Sequence, residues 1–366
     1  MTGVAPPLAL LAELTHRCPL ACPYCANPVE LERGSAELDT ATWCRVLDEA
    51  ASLGVLQVHF SGGEPAARRD LPELVAHAAA SGLYSNLITS GVTLDPAAVE
   101  ALAAAGLDHV QLSFQDTQPA SADRIAGYRG GLARKLEAAR LIRAADLPLT
   151  ANFVVHRQNL ERLPDMLALG EAIGASRIEI AHVQYYGWAL ANRAALMPSL
   201  AQLEAANAII DRARETLRGR VSIDYVVPDY HAARPKACMG GWGRQTINVT
   251  PSGKALPCHA AETLPGFDFP SVRSSSLAAI WRDDPAFNRF RGTAWMPEPC
   301  RSCDRRELDW GGCRCQAFAL AGDAAATDPA CILSPDHGVM AEAVAAASGP
   351  PPDFVYRRIG APVPVS

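Results

Sequence analysis

The chain has 366 residues, of which 49% are hydrophobic and 20% are charged, and its formal net charge is −6. This size and composition are typical of a soluble globular protein with either one large barrel or two domains. The acidic balance, without a basic stripe, argues against a nucleic-acid partner, because phosphates bind to clustered cations.

The apolar run at residues 8–14 is interrupted by Glu13 and follows no cationic segment. It is much shorter than the roughly 20 residues that span a bilayer, so we expect no signal peptide and no membrane partner. Eleven cysteines are bunched towards the two ends of the chain. An odd number in this arrangement favours intracellular metal ligands over a secreted disulfide framework, which predicts a cytoplasmic protein.

Short β-rich runs alternate with longer amphipathic runs through the first half of the chain. The predicted strands are residues 8–14, 55–60, 84–89, 109–114, 148–155 and 177–183. The predicted helices are residues 39–53, 71–80, 96–105, 132–145 and 164–173, and Asp39 and Asp95 are candidate N-caps. This alternation indicates an α/β fold with a parallel sheet. Six units are too few for a closed eight-stranded barrel, so we predict a partial (β/α)6 TIM-like barrel with its site at the C-terminal strand ends.

A further helix at 199–217 and a strand at 221–227 follow, and the composition then changes. Cysteine, glycine and proline become frequent after residue 230, which indicates a small domain held together mainly by metal sites. Within it, residues 246–249 and 255–256 predict a hairpin around a turn at 251–254. We therefore expect a barrel domain at 1–220, a cysteine-rich domain at 221–340 and a C-terminal tail at 341–366.

Cys18, Cys22 and Cys25 directly follow the first predicted strand. Three thiolates on a four-iron cluster leave one iron open to a small molecule, whereas a structural zinc ion normally takes four protein ligands. The alternative is that the three cysteines form half of a zinc site.

After the second predicted strand comes the run 62–65, Gly-Gly-Glu-Pro. Its glycines allow backbone to approach a ligand closely, although an ordinary βα turn has the same composition.

These two motifs together resemble the signature of the radical S-adenosylmethionine (SAM) enzymes. The resemblance implies a 4Fe-4S cluster on Cys18, Cys22 and Cys25 whose open iron binds SAM. Reduction of the cluster would then cleave SAM to a 5′-deoxyadenosyl radical that abstracts a substrate hydrogen. The implied SAM contacts are Tyr24, Gly62, Gly63, Glu64, Pro65, Ser90, Ser113 and Asn152. For the last three, solvated polar residues at strand ends are the alternative.

Gly253, Cys258 and the Cys300–Cys303 pair resemble the SPASM domain, which holds auxiliary iron-sulfur clusters. The usual pattern has a cysteine after Cys303 and five intervening residues, but this chain has Asp309 at that position. The resemblance implies two clusters, 2Fe-2S or 4Fe-4S: the first on Cys238, Cys258, Cys313 and Cys315, the second on Cys300, Cys303, Asp309 and Cys331. Carboxylates are poor partners for soft metal sites, so a solvated Asp309 with an open iron is one alternative. A pair of structural zinc ions is another.

Residues 15–25 and 182–193 resemble the PqqE family of peptide cyclases in pyrroloquinoline quinone (PQQ) biosynthesis. That resemblance implies a carbon–carbon bond between a glutamate γ-carbon and a tyrosine ring carbon of the precursor peptide PqqA. It also implies a chaperone, PqqD, and a flavodoxin-type reductant as partners. Other SPASM enzymes that form thioethers or mature sulfatases are the neighbouring alternative. A non-catalytic electron-transfer or zinc scaffold protein is the alternative from a different class.

The sequence does not assign a catalytic side chain. The cyclisation is a net two-electron oxidation, so a proton must leave and an auxiliary cluster is a candidate electron acceptor. Asp309, Tyr185 and Tyr186 are the candidates for accepting the proton. For the two tyrosines, aromatic packing is the favoured interpretation. Cys44, on a predicted helix, is expected to pack in the core.

Overall fold

The computed structural model describes residues 4–357, and one large sheet organises them. Its nine strands lie in the order β7-β6-β5-β4-β3-β2-β1-β8-β9, with β1 to β8 parallel and β9 antiparallel. The strands are β1 (Ala9–Thr15), β2 (Gln57–Gly62), β3 (Tyr84–Thr89), β4 (His109–Phe114), β5 (Leu149–Val155), β6 (Arg177–His182), β7 (Ser222–Val226), β8 (Thr246–Val249) and β9 (Ala255–Leu256).

Helices connect the parallel strands and continue into the cysteine-rich region. They are α1 (Thr40–Leu53), α2 (Leu71–Ala80), α3 (Pro96–Ala104), α4 (Pro119–Ala126), α5 (Gly131–Ala144), α6 (Leu163–Ala172), α7 (Gly187–Ala191), α8 (Arg193–Leu196), α9 (Leu200–Thr216), α10 (Leu277–Asp283), α11 (Pro285–Asn288), α12 (Arg314–Ala321) and α13 (Gly338–Ala346). No helix within residues 4–357 is both long enough and apolar enough to cross a membrane.

Local capping explains where the first helices begin. The Asp39 carboxylate accepts a hydrogen bond from the Thr42 N–H at 2.8 Å, and Asp95 accepts one from the Ala98 N–H at 2.8 Å. Each cap satisfies a backbone donor that the first helical turn leaves without a partner. Both predicted N-caps are thereby confirmed.

The core lies between the sheet and the helices that cover it. Phe60, Phe114 and Phe153 come from three strands and are fully buried, as is Trp43 of α1. The rings of Phe114 and Phe153 stack with their centroids 5.3 Å apart. Burial of each such side chain contributes about 1.5–3 kcal/mol, so this layer holds the strand ends above it in fixed positions.

The α/β fold and the open, partial barrel are confirmed, and β7 follows the six predicted strands in the same sheet. Helix α4 was not predicted. The predicted hairpin is present as β8 and β9, but β8 also pairs with β1, with Leu10 opposite Ile247. The sheet therefore extends past residue 220, and the domain boundary expected there stays a prediction.

Candidate active site

A cavity of about 430 Å³ lies at the C-terminal ends of β1 to β6. Most of the residues predicted from the motifs line it: Cys18, Cys22, Tyr24, Cys25, Gly62, Gly63, Ser90, Ser113 and Asn152. Residues that the motifs did not indicate also line it, among them Asn27, Gln115, His182, Gln184, His259 and Arg357. Three thiols and several polar groups from distant parts of the chain therefore share one chamber.

The three thiols belong to the loop at residues 18–25, which follows β1 (the cysteine loop). The loop turns on itself, because the Cys25 N–H donates to the Cys22 carbonyl at 3.1 Å. Burial raises the pKa of Cys18 to about 11 and that of Cys22 to about 12, and it raises the pKa of Cys25 as well. Thiols with such pKa values stay neutral until a bound metal displaces their protons.

Gly62 and Gly63 allow the end of β2 to approach the start of the cysteine loop. A Cβ on Gly62 would lie 2.3 Å from the Thr15 carbonyl oxygen, and one on Gly63 would lie 2.5 Å from the Arg17 carbonyl oxygen. Gly62 also has a φ of +120°, which L side chains rarely adopt. The Gly63 N–H donates to the Thr15 carbonyl at 2.6 Å. The glycines are therefore required for packing against backbone, in addition to facing the cavity.

Glu64 and Pro65 lie behind the cavity wall rather than in it. The Glu64 carboxylate is fully buried and accepts hydrogen bonds from the Thr89 hydroxyl at 2.6 Å and the Ser90 N–H at 2.9 Å. The Ser90 hydroxyl donates to it as well. These hydrogen bonds to the Glu64 carboxylate connect the end of β2 to the end of β3. The structure thus shows Glu64 positioning the end of β3, and its predicted contact with SAM stays a prediction.

Lys135 is a functional candidate that the sequence reasoning missed. It lies on α5, and its side chain is almost completely buried. Its ammonium group donates to the carbonyls of Ser90 at 2.8 Å and Ser113 at 2.7 Å, both of which are cavity-lining residues. Burial lowers the pKa of Lys135 to about 8. The feature of the sequence that could have indicated Lys135 is its position between Leu132 and Ala138, on the apolar face of the helix.

Two buried histidines flank the chamber. His156 lies between Tyr24 and Phe354, with ring centroids 6.1 Å and 6.0 Å away, and burial lowers its pKa to about 3. His182 contacts the Tyr225 hydroxyl at 3.0 Å, and burial lowers its pKa to about 4. Both imidazoles are therefore neutral at physiological pH.

These histidines predict a loss of stability in mild acid. Their folded-state pKa values lie below the unfolded value of about 6.5, so the unfolded chain binds more protons below that pH. As the pH falls from 6.5 to the folded-state pKa of the histidine, each of them lowers the free energy of unfolding by about 1.4 kcal/mol per pH unit. In denaturant unfolding between pH 7 and 4, the free energy of unfolding should fall less steeply with decreasing pH for His156→Asn than for the parent protein. His77→Gln, on the partly exposed face of α2, is the control. If His156→Asn and the parent protein showed the same slope, the conclusion that His156 is buried in its neutral form would be contradicted.

The residues predicted for the first auxiliary cluster come together in the cysteine-rich region. The sulfurs of Cys258 and Cys315 are 3.8 Å apart, and Cys238 and Cys313 complete the group through thiol contacts. A cavity lined by three of the four thiols and by Trp242 and Trp310 adjoins them. Nothing among residues 4–357 brings three His, Cys, Asp or Glu side chains to the spacing of one shared metal ion.

A second cleft is lined by the residues predicted for the other auxiliary cluster: Cys300, Cys303, Asp309 and Cys331. Asp309 is largely buried; one carboxylate oxygen accepts from the Gly311 N–H at 3.1 Å, and the other lies 3.6 Å from the Arg305 guanidinium. The carboxylate thus faces the cleft beside the three thiols. The ligand assignments of both auxiliary sets stay predictions.

Arg314, which the motifs did not indicate, is buried between the two auxiliary sets. Its guanidinium donates to the carbonyls of Ala324 at 3.0 Å and Ala326 at 2.7 Å, and to that of Gly311. Its charge acts on Cys300 of one set and on Cys313 of the other. A buried cation in this position compensates the negative charge that two groups of thiolates would carry.

The two tyrosines after β6 have different surroundings. Tyr185 is buried against Tyr230, with ring centroids 4.9 Å apart, and burial raises its pKa. The Tyr186 hydroxyl lies 3.0 Å from the Cys313 sulfur. Tyr185 therefore packs against another ring, whereas Tyr186 connects the barrel to the first auxiliary set, and the role of either as proton acceptor stays a prediction.

The comparisons with known proteins agree with this arrangement. Residues 12–170 match the model of the radical SAM superfamily, and residues 238–304 match an iron-sulfur cluster-binding domain, SPASM. Among solved structures, Streptococcus suis SuiB bound to S-adenosylmethionine shares the fold with a TM-score of 0.72 and 19% identity, covering 86% of this chain and 74% of that one. Native anSMEcpe with bound AdoMet has a TM-score of 0.63 at 16% identity, covering 93% of this chain and 96% of that one.

Curated relatives match over nearly the full length. A PqqA peptide cyclase of Granulibacter bethesdensis is 65% identical over 365 residues, covering 100% of this chain and 98% of the relative. The Gluconobacter oxydans protein of the same name is 62% identical over 358 residues, covering 98% and 99%. One from Xanthomonas campestris pv. campestris is 59% identical over 367 residues, covering 100% and 98%. The chain therefore belongs to the PqqA peptide cyclase family of radical SAM enzymes.

Proposed function

We propose that this enzyme joins a glutamate γ-carbon to a tyrosine ring carbon within the precursor peptide PqqA, a step of PQQ biosynthesis. The observation that carries the proposal is the chamber in which three partly buried thiols face the polar ends of β3, β4 and β5. Full-length relatives named PqqA peptide cyclase support the choice of substrate. A structural neighbour, SuiB, is bound to its own precursor peptide SuiA.

The chamber's residues fit a four-iron cluster with SAM. Cys18, Cys22 and Cys25 would hold the cluster, and Gly62, Gly63, Ser90, Ser113 and Asn152 would surround SAM. When bound, this pair supplies a 5′-deoxyadenosyl radical. The chain's own contribution is to fix the geometry: the Asn27 amide donates to the Gly62 carbonyl at 3.3 Å, and Lys135 joins the ends of β3 and β4.

Cross-link formation removes two hydrogens from the peptide: one abstracted as an atom, the other lost as a proton and an electron. The two auxiliary cysteine sets are suited to hold groups that accept the electron. A short connection leads there from the chamber. Gln184 lines the cavity, and two residues later the Tyr186 hydroxyl contacts Cys313 of the first auxiliary set.

The partners and compartment follow from the same proposal. We propose PqqD as the chaperone that presents PqqA and a flavodoxin-type protein as the reductant. The cytoplasm is the proposed location, because none of the cysteines in the described residues forms a disulfide and cysteines that hold iron-sulfur clusters need a reducing compartment.

Mass spectrometry of PqqA incubated with SAM and the reduced enzyme tests the function. The expected product has lost two hydrogens, and fragmentation places the new bond between a glutamate and a tyrosine. A variant with Cys18, Cys22 and Cys25 all replaced by alanine is the control and should leave the peptide unchanged. A cross-link through sulfur, or oxidation of a single side chain, would indicate another SPASM chemistry. An unchanged peptide despite 5′-deoxyadenosine formation would contradict the proposal.

A further inference from the structure

The C-terminal segment at residues 354–357, called the C-terminal strap here, lies against the cysteine loop although more than 300 residues separate them along the chain. Asn192, after α7, connects the two. Its side-chain oxygen accepts from the Val355 N–H at 2.7 Å, and its amide nitrogen donates to the carbonyls of Val355 at 2.9 Å and Pro23 at 3.1 Å. One buried side chain thus binds the strap and the loop together.

Aromatic contacts hold the strap in the same place. Phe354 is largely buried, with the Arg124 guanidinium 4.8 Å from its ring centroid. The Tyr356 hydroxyl donates to the Arg124 carbonyl at 2.6 Å. A Cβ on Gly127 would lie 3.1 Å from the Ala21 side chain and 3.5 Å from the Tyr356 ring. The C-terminal end of α4 is therefore shaped to accommodate the loop and the strap together.

Arg357 brings the strap into the chamber. Its guanidinium donates to the Cys18 carbonyl at 3.3 Å and the Leu20 carbonyl at 2.5 Å, and its side chain lines the cavity. Among the cavity-lining residues in the described part of the chain, it alone carries a permanent positive charge.

The cysteine loop has few other backbone restraints, one of which is the Ala21 N–H donating to the Ala126 carbonyl of α4 at 2.8 Å. In the region the structure covers, four of its carbonyls accept hydrogen bonds, those of Cys18, Leu20, Cys22 and Pro23. Only the bond to Cys22 comes from within the loop. Arg357 supplies two of the other three, and Asn192 supplies the third. Because the loop must present three thiols at set positions, the groups that fix its carbonyls determine that arrangement.

We propose that the C-terminal strap is part of the radical SAM site, with Arg357 as a positioning residue that fixes the cysteine loop for cluster binding. This inference rests on the proposed cluster role of Cys18, Cys22 and Cys25. Arg357 reaches both carbonyls from one nitrogen, Nη2, of a planar group, whereas lysine at the same position keeps the charge on an ammonium group that rotates freely. The expected order of cluster retention is therefore arginine, then lysine, then glutamine.

Hydrogen–deuterium exchange of the full-length, metal-free protein tests the positioning role without relying on activity. For Arg357→Gln, amides within residues 18–25 should exchange about tenfold faster, and amides in β4 and β5 should be unchanged. In the iron-loaded protein, a chelator should remove iron from the radical SAM site about tenfold faster, which is within the range for groups that orient metal ligands. The exchange and iron-removal rates of Arg357→Lys should lie between those of the parent protein and those of Arg357→Gln. Arg177→Gln, at an exposed pair with Asp224, is the matched control.

The outcomes separate this inference from the proposed function. Unchanged exchange at 18–25 in Arg357→Gln, with normal SAM cleavage by the parent enzyme, overturns the strap proposal alone. Faster exchange throughout the protein also overturns it, because that result indicates general destabilisation. Faster exchange confined to the loop supports the strap even if PqqA were to prove the wrong substrate.

Discussion

Replacing Cys22 with alanine is expected to abolish SAM cleavage, with a fall of more than about 10³-fold, because the reaction then returns towards its uncatalysed rate. Cys22 is the thiol whose pKa burial raises to about 12, and an alanine there leaves two thiols where a four-iron cluster with one open iron needs three. Iron content should fall by about four atoms per chain. The measurements are iron and sulfide analysis, EPR of the reduced protein and 5′-deoxyadenosine formation.

Cys44→Ala is the matched control for this experiment. Cys44 lies on α1, packs against the main core and belongs to none of the three cysteine sets. Its replacement removes one thiol from the same protein but should leave iron content and SAM cleavage at the level of the parent protein. If Cys22→Ala cleaved SAM at the parental rate, the central assignment of the chamber would be wrong.

Replacing Asp309 with asparagine is expected to abolish peptide cyclisation while leaving SAM cleavage in place. Asparagine keeps an oxygen that can accept the Gly311 N–H, so the local fold is retained, but the anionic ligand is lost. The EPR signal of one auxiliary cluster should change or disappear, and that of the radical SAM site should not. Asp309→Cys should keep the iron with an altered spectrum, because a thiolate takes the carboxylate's place.

The control for Asp309 is Asp323→Asn. Asp323 is an exposed carboxylate of the same region whose oxygen accepts from the Ala325 N–H at 2.8 Å. Its replacement changes the same functional group without reaching a cysteine set. If Asp309→Asn and Asp309→Cys both kept the parental spectra, Asp309 would be a solvated carboxylate and the second auxiliary cluster would have an open iron.

Glu64 shows that a motif can predict where a residue lies without predicting which groups it binds. The run at 62–65 does lie at the end of β2, beside the cysteine loop. Its carboxylate, however, meets the hydroxyls of Thr89 and Ser90, which come from the next strand. A buried carboxylate binds whichever donors surround it, and spacing within the motif does not show which strand supplies them.

The sequence alone determined the partial α/β barrel, and it predicted the three cysteine sets. The periodicity of strands and helices depends on residues that are neighbours in the chain. Cys18, Cys22 and Cys25 are also close enough in the chain for their spacing to predict a shared site. Only the tertiary structure decided that β8 pairs with β1, that Lys135 joins two strand ends and that Arg357 binds the loop at Cys18. These contacts join residues far apart in the chain, so they arise from the packing of whole elements, and no local pattern shows which residues meet.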